Sequence, residues 1–336
     1  AYLPEVVTGK PIELGGSLGR ETATADGVTI CIRQAARHLK LDLGGATAAV
    51  QGFGNVGSYT AKNLYEDGSK ITALSDETGS YVCADGIDIP KVIEHTKRNR
   101  LLRGVEKEID GLTVIEDPRA ILGLDVDILV PAALENQITE ENVNEISPKV
   151  RIVAEGANGP TTTEADAVLR ERDVVVIPDF LANAGGVTCS YFEQVQSNMN
   201  YYWGKDEVLG KLDSKMTTAY SAVSELVRKR KLYMRDAAYV IAISHVARAC
   251  RDRIPEVSYR RASSARDFDC WPCPSSVCSR CATERRPEAP PDSRKRRTSW
   301  RRSPHSARPT SNVDATPFLL TLLRGGINRC RAIGVV

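Results

Sequence analysis

The sequence predicts an α/β fold with a doubly wound, Rossmann-like parallel sheet, a carboxyl-terminal helical region and a disordered tail. Three observations lead to this prediction. Strand-like apolar segments alternate with segments of helical periodicity over the first half of the chain. A glycine-rich motif, QGFGNVG at residues 51–57, stands between one such strand and a helix. The composition changes abruptly near Arg253.

The first elements surround the glycine-rich motif. Apolar residues recur at helical spacing from Val28 to Leu39, and the pattern ends near two adjacent glycines. A strand follows at 46–50, a helix at 58–67 and a second strand at 70–74. A strand, a glycine turn and a helix in this order predict a dinucleotide-binding site.

The three glycines of the motif have different expected roles. Gly52 makes the tight turn, Gly54 lets backbone amides approach a pyrophosphate, and Gly57 allows the helix to pack closely on the strand. The helix N-terminus then presents the positive end of its dipole to the phosphates. Asp76 follows the second strand, where it is expected to accept hydrogen bonds from a ribose diol. Because a carboxylate repels a 2′-phosphate, Asp76 favours NAD, with NADP as the open alternative.

The alternation of strands and helices continues to residue 177. Further helices are predicted at 89–100 and 163–172, and further strands at 113–115, 126–130, 151–154 and 174–177. Because ligands bind at the carboxyl ends of parallel strands, the candidate site loops are 52–57, 131–136 and 155–162. Residues 191–253 have a helical pattern throughout.

The chain is therefore divided into a dinucleotide-binding domain at 1–190, helices at 191–253 and a tail at 254–336. The tail holds 16 of the 45 Lys and Arg, 7 of the 43 Asp and Glu, and 9 of the 17 Pro. A segment rich in Pro, Ser and Arg and poor in apolar residues is expected to be disordered. The change in composition also fits an out-of-frame reading of a GC-rich gene, the origin that we favour. The nucleotide sequence near codon 253 tests it.

Two motifs in the tail are candidate binding sites. Cys270, Cys273, Cys278 and Cys281 form a CxxC-x4-CxxC array of a residue type that binds zinc as thiolates. Its four-residue connection is shorter than is usual between zinc knuckles, and we assign no metal site. The run 294–302 is rich in Arg but has no folded nucleic-acid-reading motif, so no nucleic-acid partner is expected.

The first part of the chain indicates a cytoplasmic protein. No stretch approaches the roughly 20 apolar residues that cross a bilayer, and no membrane partner is expected. Cys31, Cys83, Cys189 and Cys250 are scattered singly, as reduced thiols are. The chain has no initiator Met, and we expect it to begin partway through a longer gene product.

Four groups of loop motifs have an informative order and spacing. They are GGSLGRETATADGV (15–28), QGFGNVG with SDETG (51–57 and 75–79), PAALEN with AEGANGPTT (131–136 and 154–162), and FLANAGGVTCSYFEQVQ (180–196). Together the motifs resemble the glutamate dehydrogenase family, which includes the leucine, phenylalanine and valine dehydrogenases. The resemblance covers most of residues 8–253.

The resemblance implies which residues hold the cofactor. Thr24 would lie near the nicotinamide amide and Asn55 on the glycine loop. Asn158 and Asn183 would line the nicotinamide side of the cleft. These residues add to Gly52, Gly54, Gly57 and Asp76, which the sequence pattern itself indicates.

The resemblance also implies a substrate pocket. Val187 and Ser190 would face the substrate side chain, and Ser190 would donate a hydrogen bond to the distal carboxylate of L-glutamate. A buried site that hydrogen-bonds a polar group discriminates against ligands that lack this group. Ser190 therefore favours glutamate over leucine or valine, whose dehydrogenases have an apolar pocket.

The implied reaction is NAD(P)-dependent oxidative deamination of L-glutamate to 2-oxoglutarate and ammonia. The family's catalytic lysine and aspartate lie in an amino-terminal substrate domain that ends about where this chain begins. We therefore assign no catalytic residue and expect this fragment alone to be inactive. The family is hexameric, and a homo-oligomer is expected at full length. The alternatives are a branched-chain amino acid dehydrogenase and a non-catalytic dinucleotide-binding subunit.

Overall fold

A mixed sheet lies at the centre of the described part of the chain. The computed structural model describes residues 3–253, and all structural statements below concern these residues. Its strands are β1 Thr47–Gln51, β2 Lys70–Asp76, β3 Gly79–Val82, β4 Thr113–Ile115, β5 Ile128–Pro131, β6 Ile152–Ala154 and β7 Val175–Ile177. Their order in the sheet is β4-β3-β2-β1-β5-β6-β7.

Strands β2, β1, β5, β6 and β7 are parallel to one another, whereas β3 pairs antiparallel with both β2 and the edge strand β4. The chain runs from β1 to β2 on one side and later returns to β5 on the other side of β1. This reversal is a topological switch point, where open α/β sheets bind ligands. The predicted α/β class is confirmed. The antiparallel strand β3 was not predicted, and it makes the sheet mixed.

Helices connect and cover the strands. They are α1 Ala23–Leu39, α2 Asn55–Glu66, α3 Ile89–Asn99, α4 Thr163–Glu171, α5 Asp179–Ala182, α6 Gly185–Met199, α7 Lys205–Arg230 and α8 Met234–Arg253. Short 3-10 turns occur at Pro4–Val6, Ile12–Leu14, Val105–Lys107, Ala120–Gly123 and Val143–Glu145. Among the described residues, no helix is both long and apolar enough to span a bilayer.

Both faces of the sheet are buried. In β1, Ala48 and Val50 face a core that includes apolar residues of α1, α2 and α7. Ala49 faces the opposite core, with Leu129, Val153 and residues of α4. Successive strand residues point to opposite faces, so the five parallel strands contribute to both cores, whereas the residues of the edge strand β4 are exposed. This arrangement is the doubly wound architecture that the alternation of elements predicts.

The carboxyl-terminal helices are continuous with the sheet domain. Helix α6 begins at Gly185, so position 190/191, where we divided the domains, lies inside a helix. Residues up to Arg253 belong to one compact unit. The division into a cofactor domain and carboxyl-terminal helices stays a prediction. The tail, with its cysteine array and its Arg-rich run, lies outside the described residues.

Candidate functional site

The glycine-rich loop has the backbone geometry that the three glycines predict. Gly52 has φ +88°, a left-handed conformation, and a Cβ there would lie 2.8 Å from the Cα of Ala133. A Cβ on Gly57 would overlap the carbonyl oxygen of Gly52. At Gly54, by contrast, a Cβ would meet no atom within 4 Å. The loop is therefore tight on the protein side and open on the side where a phosphate would bind.

The first amides of α2, next to this open side, have no intrahelical acceptor. The first backbone bond of the helix runs from Ser58 N to the carbonyl of Gly54, at 2.9 Å. The amides of residues 55–57 precede it, as the first N–H groups of a helix do. Unpaired amides and the positive end of the dipole together form an anion site. The loop can therefore hold a pyrophosphate.

Asp76 ends β2 beside the glycine loop. The amide of Gly52 donates to the carbonyl of Ser75 at 2.9 Å, so the carboxyl ends of β1 and β2 are adjacent. The Asp76 carboxylate accepts hydrogen bonds from the Thr78 amide at 2.8 Å, the Thr78 hydroxyl and the Leu102 amide at 2.6 Å. These bonds fix the carboxylate at the strand end. Its two oxygens have further lone pairs, so it can still accept from a diol.

The three candidate loops meet at the carboxyl edge of the sheet. The Ala132 amide donates to the carbonyl of Gln51 at 2.8 Å. The amides of Gly156 and Ala157 both donate to the carbonyl of Pro131 at 3.0 Å. These bonds connect the carboxyl ends of β1, β5 and β6. The three candidate loops therefore lie next to one another at this edge of the sheet.

Asn158 and Asn183 form a hydrogen-bonded pair. The Nδ2 of Asn183 donates to the Oδ1 of Asn158 at 2.9 Å and lies 3.3 Å from the carbonyl of Gly156. Asn158 is exposed and Asn183 is half-buried. The structure thus brings together two amides that lie 25 positions apart in the sequence. An amide pair of this kind can hydrogen-bond a carboxamide such as that of nicotinamide.

The segment before α1 links the glycine loop to α6. The Nδ2 of Asn55 donates to the carbonyl of Glu21 at 3.0 Å. Thr24 lies one turn further on, and its hydroxyl is so close to Gly186 that a Cβ there would overlap it. Ser190 lies one turn along α6 and donates to the carbonyl of Gly186 at 3.1 Å.

Arg20 belongs to the same group, and the sequence analysis did not select it. Its Nε donates to the hydroxyl of Ser190 at 2.9 Å. A guanidinium beside a hydroxyl is suited to bind a carboxylate. Val187 is 56% exposed on the neighbouring turn of α6, so its side chain is accessible to a ligand. The adjacent Gly-Arg in the first motif was the signal that would have identified Arg20.

Two buried ionic groups behind the site were also missed. Glu155 is completely buried and bonds to Arg235, whose guanidinium also contacts Asp166. Burial raises the pKa of Glu155 above its ordinary value, and Arg235 offsets only part of this effect. Glu193 on α6 is also completely buried, and its carboxylate accepts from Lys10 Nζ at 2.6 Å. Both partners lie far away in the sequence, so no local pattern indicates either pair.

A family model for the Glutamate/Leucine/Phenylalanine/Valine dehydrogenases matches residues 15–253. The chain belongs to this family. The resemblance that the loop motifs carried is therefore confirmed, and this dehydrogenase fold accounts for the sheet and helices of the described residues.

Curated dehydrogenases of the family are similar over the same region. A cryptic catabolic NAD-specific glutamate dehydrogenase of Bacillus subtilis is 46% identical over 250 residues, which are 74% of this chain and 57% of that protein. An NAD-specific glutamate dehydrogenase of Staphylococcus aureus is 47% identical over 251 residues, 74% of this chain and 58% of that protein. The chain thus spans less than two thirds of the length of these relatives.

Solved structures of the family match the fold. A hetero-hexameric glutamate dehydrogenase of Thermus thermophilus, in a leucine-bound form, has a TM-score of 0.69 at 30% identity. The match covers 74% of this chain and 57% of that one. The glutamate dehydrogenase of Peptoniphilus asaccharolyticus has a TM-score of 0.62 at 35% identity, over 73% and 56% of the two chains.

Proposed function

We propose that this chain is the cofactor-binding part of an NAD-dependent L-glutamate dehydrogenase. The whole enzyme would deaminate L-glutamate oxidatively to 2-oxoglutarate and ammonia. The single observation that carries the proposal is the glycine loop, which is closed on the protein side and open above the amides of residues 55–57. The Bacillus and Staphylococcus relatives are NAD-specific, which supports the choice of cofactor.

Different residues would bind the different parts of NAD. The glycine loop would hold the pyrophosphate, and Asp76 would accept from the adenosine ribose. Asn158, Asn183 and Thr24 would orient the nicotinamide end. Bound NAD supplies the acceptor for the substrate hydride. The residues of this chain would bind and orient the cofactor and the substrate. We assign proton transfer to none of them.

A carboxylate-containing substrate is supported by Arg20 and Ser190. Their side chains are joined at 2.9 Å, so a distal carboxylate could contact both a guanidinium and a hydroxyl. Leucine or valine in the same position would desolvate the remaining N–H donors of Arg20 without pairing them, which costs free energy. The pair therefore favours glutamate over a branched-chain amino acid. Val187 would contact the methylene groups of the substrate.

Nucleotide binding by the 336-residue chain tests the cofactor assignment. Titration calorimetry with NAD, NADP and ADP-ribose should give binding, with NAD preferred over NADP. Gly54→Ala should weaken NAD and ADP-ribose binding by about tenfold or more, because the added methyl group enters the phosphate space. Gly210→Ala is the matched control, because its Cβ also meets no atom within 4 Å but lies on α7. Absence of nucleotide binding by the unsubstituted chain would refute the proposal.

Dehydrogenase activity tests the proposed substrate and the proposal that this chain supplies only the cofactor-binding part of the enzyme. The chain alone should not reduce NAD with glutamate, whereas a chimera that begins with the amino-terminal part of the Bacillus relative should. Glutamate should be preferred to leucine and valine, and Ser190→Ala should narrow this preference. Preference for leucine or valine would favour a branched-chain dehydrogenase. Nucleotide binding without activity in the chimera would favour a non-catalytic subunit.

We further infer that the whole protein forms a hexamer. Light scattering would measure its mass.

A further inference from the structure

Arg235 contacts three carboxylates behind the loop that carries Asn158. It lies in the first turn of α8, and its side chain is 17% exposed. Its nitrogens lie 2.7 Å from Glu155, 3.0 Å from Asp166 and 3.8 Å from Asp179. One guanidinium thus joins α8 to β6, α4 and α5. Its fork of five donors can serve several acceptors at once, which an ammonium cannot do in the same geometry.

Glu155 is the innermost member of this group. It follows β6 directly, and its side chain is completely buried. Two nitrogens of Arg235 donate to its two oxygens, at 2.7 and 3.1 Å. The same carboxylate accepts from the amide of Asp179 at 2.8 Å. Glu155 therefore fixes the start of its own loop to the start of α5.

Asp179 connects this group to both asparagines of the site. Its Oδ2 accepts from the amide of Gly159 at 2.9 Å, beside Asn158. Its carbonyl accepts from the amide of Asn183 at 2.9 Å. The side chains of Asn183 and Asn158 then bond to each other. A continuous series of hydrogen bonds runs from Arg235 to the amide pair.

Stability alone is a weak explanation for this arrangement. Taking charges out of water costs free energy that their mutual attraction only partly recovers, so apolar residues would hold the same elements at no greater cost. Directional, bidentate hydrogen bonds fix the relative orientation of the groups that they join more precisely than apolar packing does. The orientation that they fix is that of the loop 155–159 and of Asn183.

We propose that Arg235 is a positioning residue for the nicotinamide end of the cofactor. It acts through Glu155 and Asp179, which hold Asn158 and Asn183 at the spacing that the carboxamide requires. The inference rests on the proposed function, because it takes the cofactor to bind along the glycine loop and the amide pair. According to this proposal, binding of the nicotinamide end of the cofactor depends on α8, whereas binding of the adenosine end does not.

Binding of NADH and of ADP-ribose to the 336-residue chain separates the two ends. ADP-ribose has the pyrophosphate and both riboses but no nicotinamide. Arg235→Lys keeps the charge and loses the bidentate geometry, and Glu155→Gln keeps the shape and loses a charge. Each should weaken NADH binding by about tenfold while ADP-ribose binding changes less than about twofold. Each should also reduce the enhancement of nicotinamide fluorescence in bound NADH.

Asp236→Asn is the matched control. Asp236 pairs with Arg170 at 3.2 Å and joins the same helices, α8 and α4, at the surface without contacting the loop. It should leave both affinities and the fluorescence unchanged. If ADP-ribose and NADH bind to the unsubstituted chain and both Arg235→Lys and Glu155→Gln leave their affinity ratio unchanged, the positioning role is wrong. Equal loss of both ligands would also overturn it, since it would indicate a general structural role. If neither ligand binds to the unsubstituted chain, the proposed function itself fails.

Discussion

Gly57 packs its Cα against the turn that Gly52 makes at the end of β1. A methyl group at Gly57 would overlap the Gly52 carbonyl oxygen and lie 3.4 Å from a methyl group of Val50. Because the overlapped atom is backbone, α2 must move away from the sheet. Gly57→Ala should therefore lower the free energy of unfolding by about 3 kcal/mol, measured by urea denaturation followed by circular dichroism. Gly210→Ala should instead raise it by up to about 1 kcal/mol, since alanine is the better helix former. Equal denaturation midpoints for the two variants would contradict this close packing.

The cysteines of the described residues should differ in reactivity. Cys31 and Cys189 are completely buried, and burial raises the pKa of their thiols to about 12 and about 11. Cys250 is exposed near the end of α8. Because the thiolate is the nucleophile, iodoacetamide at pH 8 should modify Cys250 and leave Cys31 and Cys189 free until the protein is denatured. Peptide mapping by mass spectrometry measures this order. Rapid modification of Cys31 in the folded protein would show that its surroundings open.

The sequence predicts local geometry best where the backbone conformation itself requires a residue type. Gly52 and Gly57 are of this kind, because a left-handed turn favours glycine and a Cβ at either position would come too close to backbone atoms. Arg20 and Glu155 could not be predicted in this way. Their partners, Ser190 and Arg235, lie 170 and 80 positions away, so the contacts exist only after folding.

At the level of elements, the parallel strands were predictable and the antiparallel edge was not. Buried strands such as β5 are continuous apolar runs, which the sequence shows directly. Strand β3 has only four residues and begins at Gly79, the last residue of the SDETG run, which the sequence pattern presents as a loop motif. Helix α6 begins at Gly185, whereas the sequence predicts a helical pattern only from residue 191, because Gly185 and Gly186 disfavour a helix. A Cβ on either glycine would overlap α1, so close helix packing outweighs propensity there.

Helix α6 holds the segment before α1 through a buried ion pair. Glu193 accepts from the amide of Gly9 at 2.9 Å, the amide of Lys10 at 3.2 Å and Lys10 Nζ at 2.6 Å. Lys10→Met leaves the carboxylate buried without its cation, which should cost about 3 kcal/mol of stability. The segment should then be cleaved faster by thermolysin, as mass spectrometry would detect.

Lys229→Met is the control for this element. Lys229 pairs with Glu225 within α7, where both side chains are more than half exposed. Its loss should cost less than about 0.5 kcal/mol and leave cleavage of the segment before α1 unchanged. If Lys10→Met and Lys229→Met are equally stable, the buried pair does not hold the segment.

Across the whole molecule, the order of strands explains why separate sequence motifs act together. The motifs at 51–57, 131–136 and 154–162 follow β1, β5 and β6, which are neighbours in the sheet. Their carboxyl ends therefore meet at one edge, as the alternation of strands and helices predicted. The pairing of β1 with β5, with 76 residues between the two strands, was not evident from local pattern. It depends on the switch in direction that the folded sheet makes at β1.

The opposite, amino-terminal edge of the sheet should control the stability of the whole domain in acid. Asp127 lies just before β5, and its carboxylate accepts from the amide and hydroxyl of Thr47, at 2.8 and 2.7 Å, at the start of β1. Burial raises the pKa of Asp127, but the Thr47 donors and Lys149 at 3.5 Å outweigh it, so the pKa lies below its ordinary value. The folded state therefore binds fewer protons than the unfolded state near pH 4.

The sign of the pH dependence follows from this depressed pKa. The contribution of Asp127 to stability is complete above its unfolded pKa, about 4, and is lost as the pH falls through the lower folded value. The contribution of Asp127 to the urea midpoint should thus be constant above about pH 5 and fall below about pH 4. Asp127→Asn cannot ionise, so it should be less stable than the unsubstituted chain at pH 7 and lose less on acidification. Asp252→Asn, at an exposed site near the end of α8, should retain the original slope. If Asp127→Asn leaves the pH dependence of the urea midpoint unchanged, the contacts between β1 and β5 do not depend on this carboxylate. Acid unfolding would then begin elsewhere in the domain.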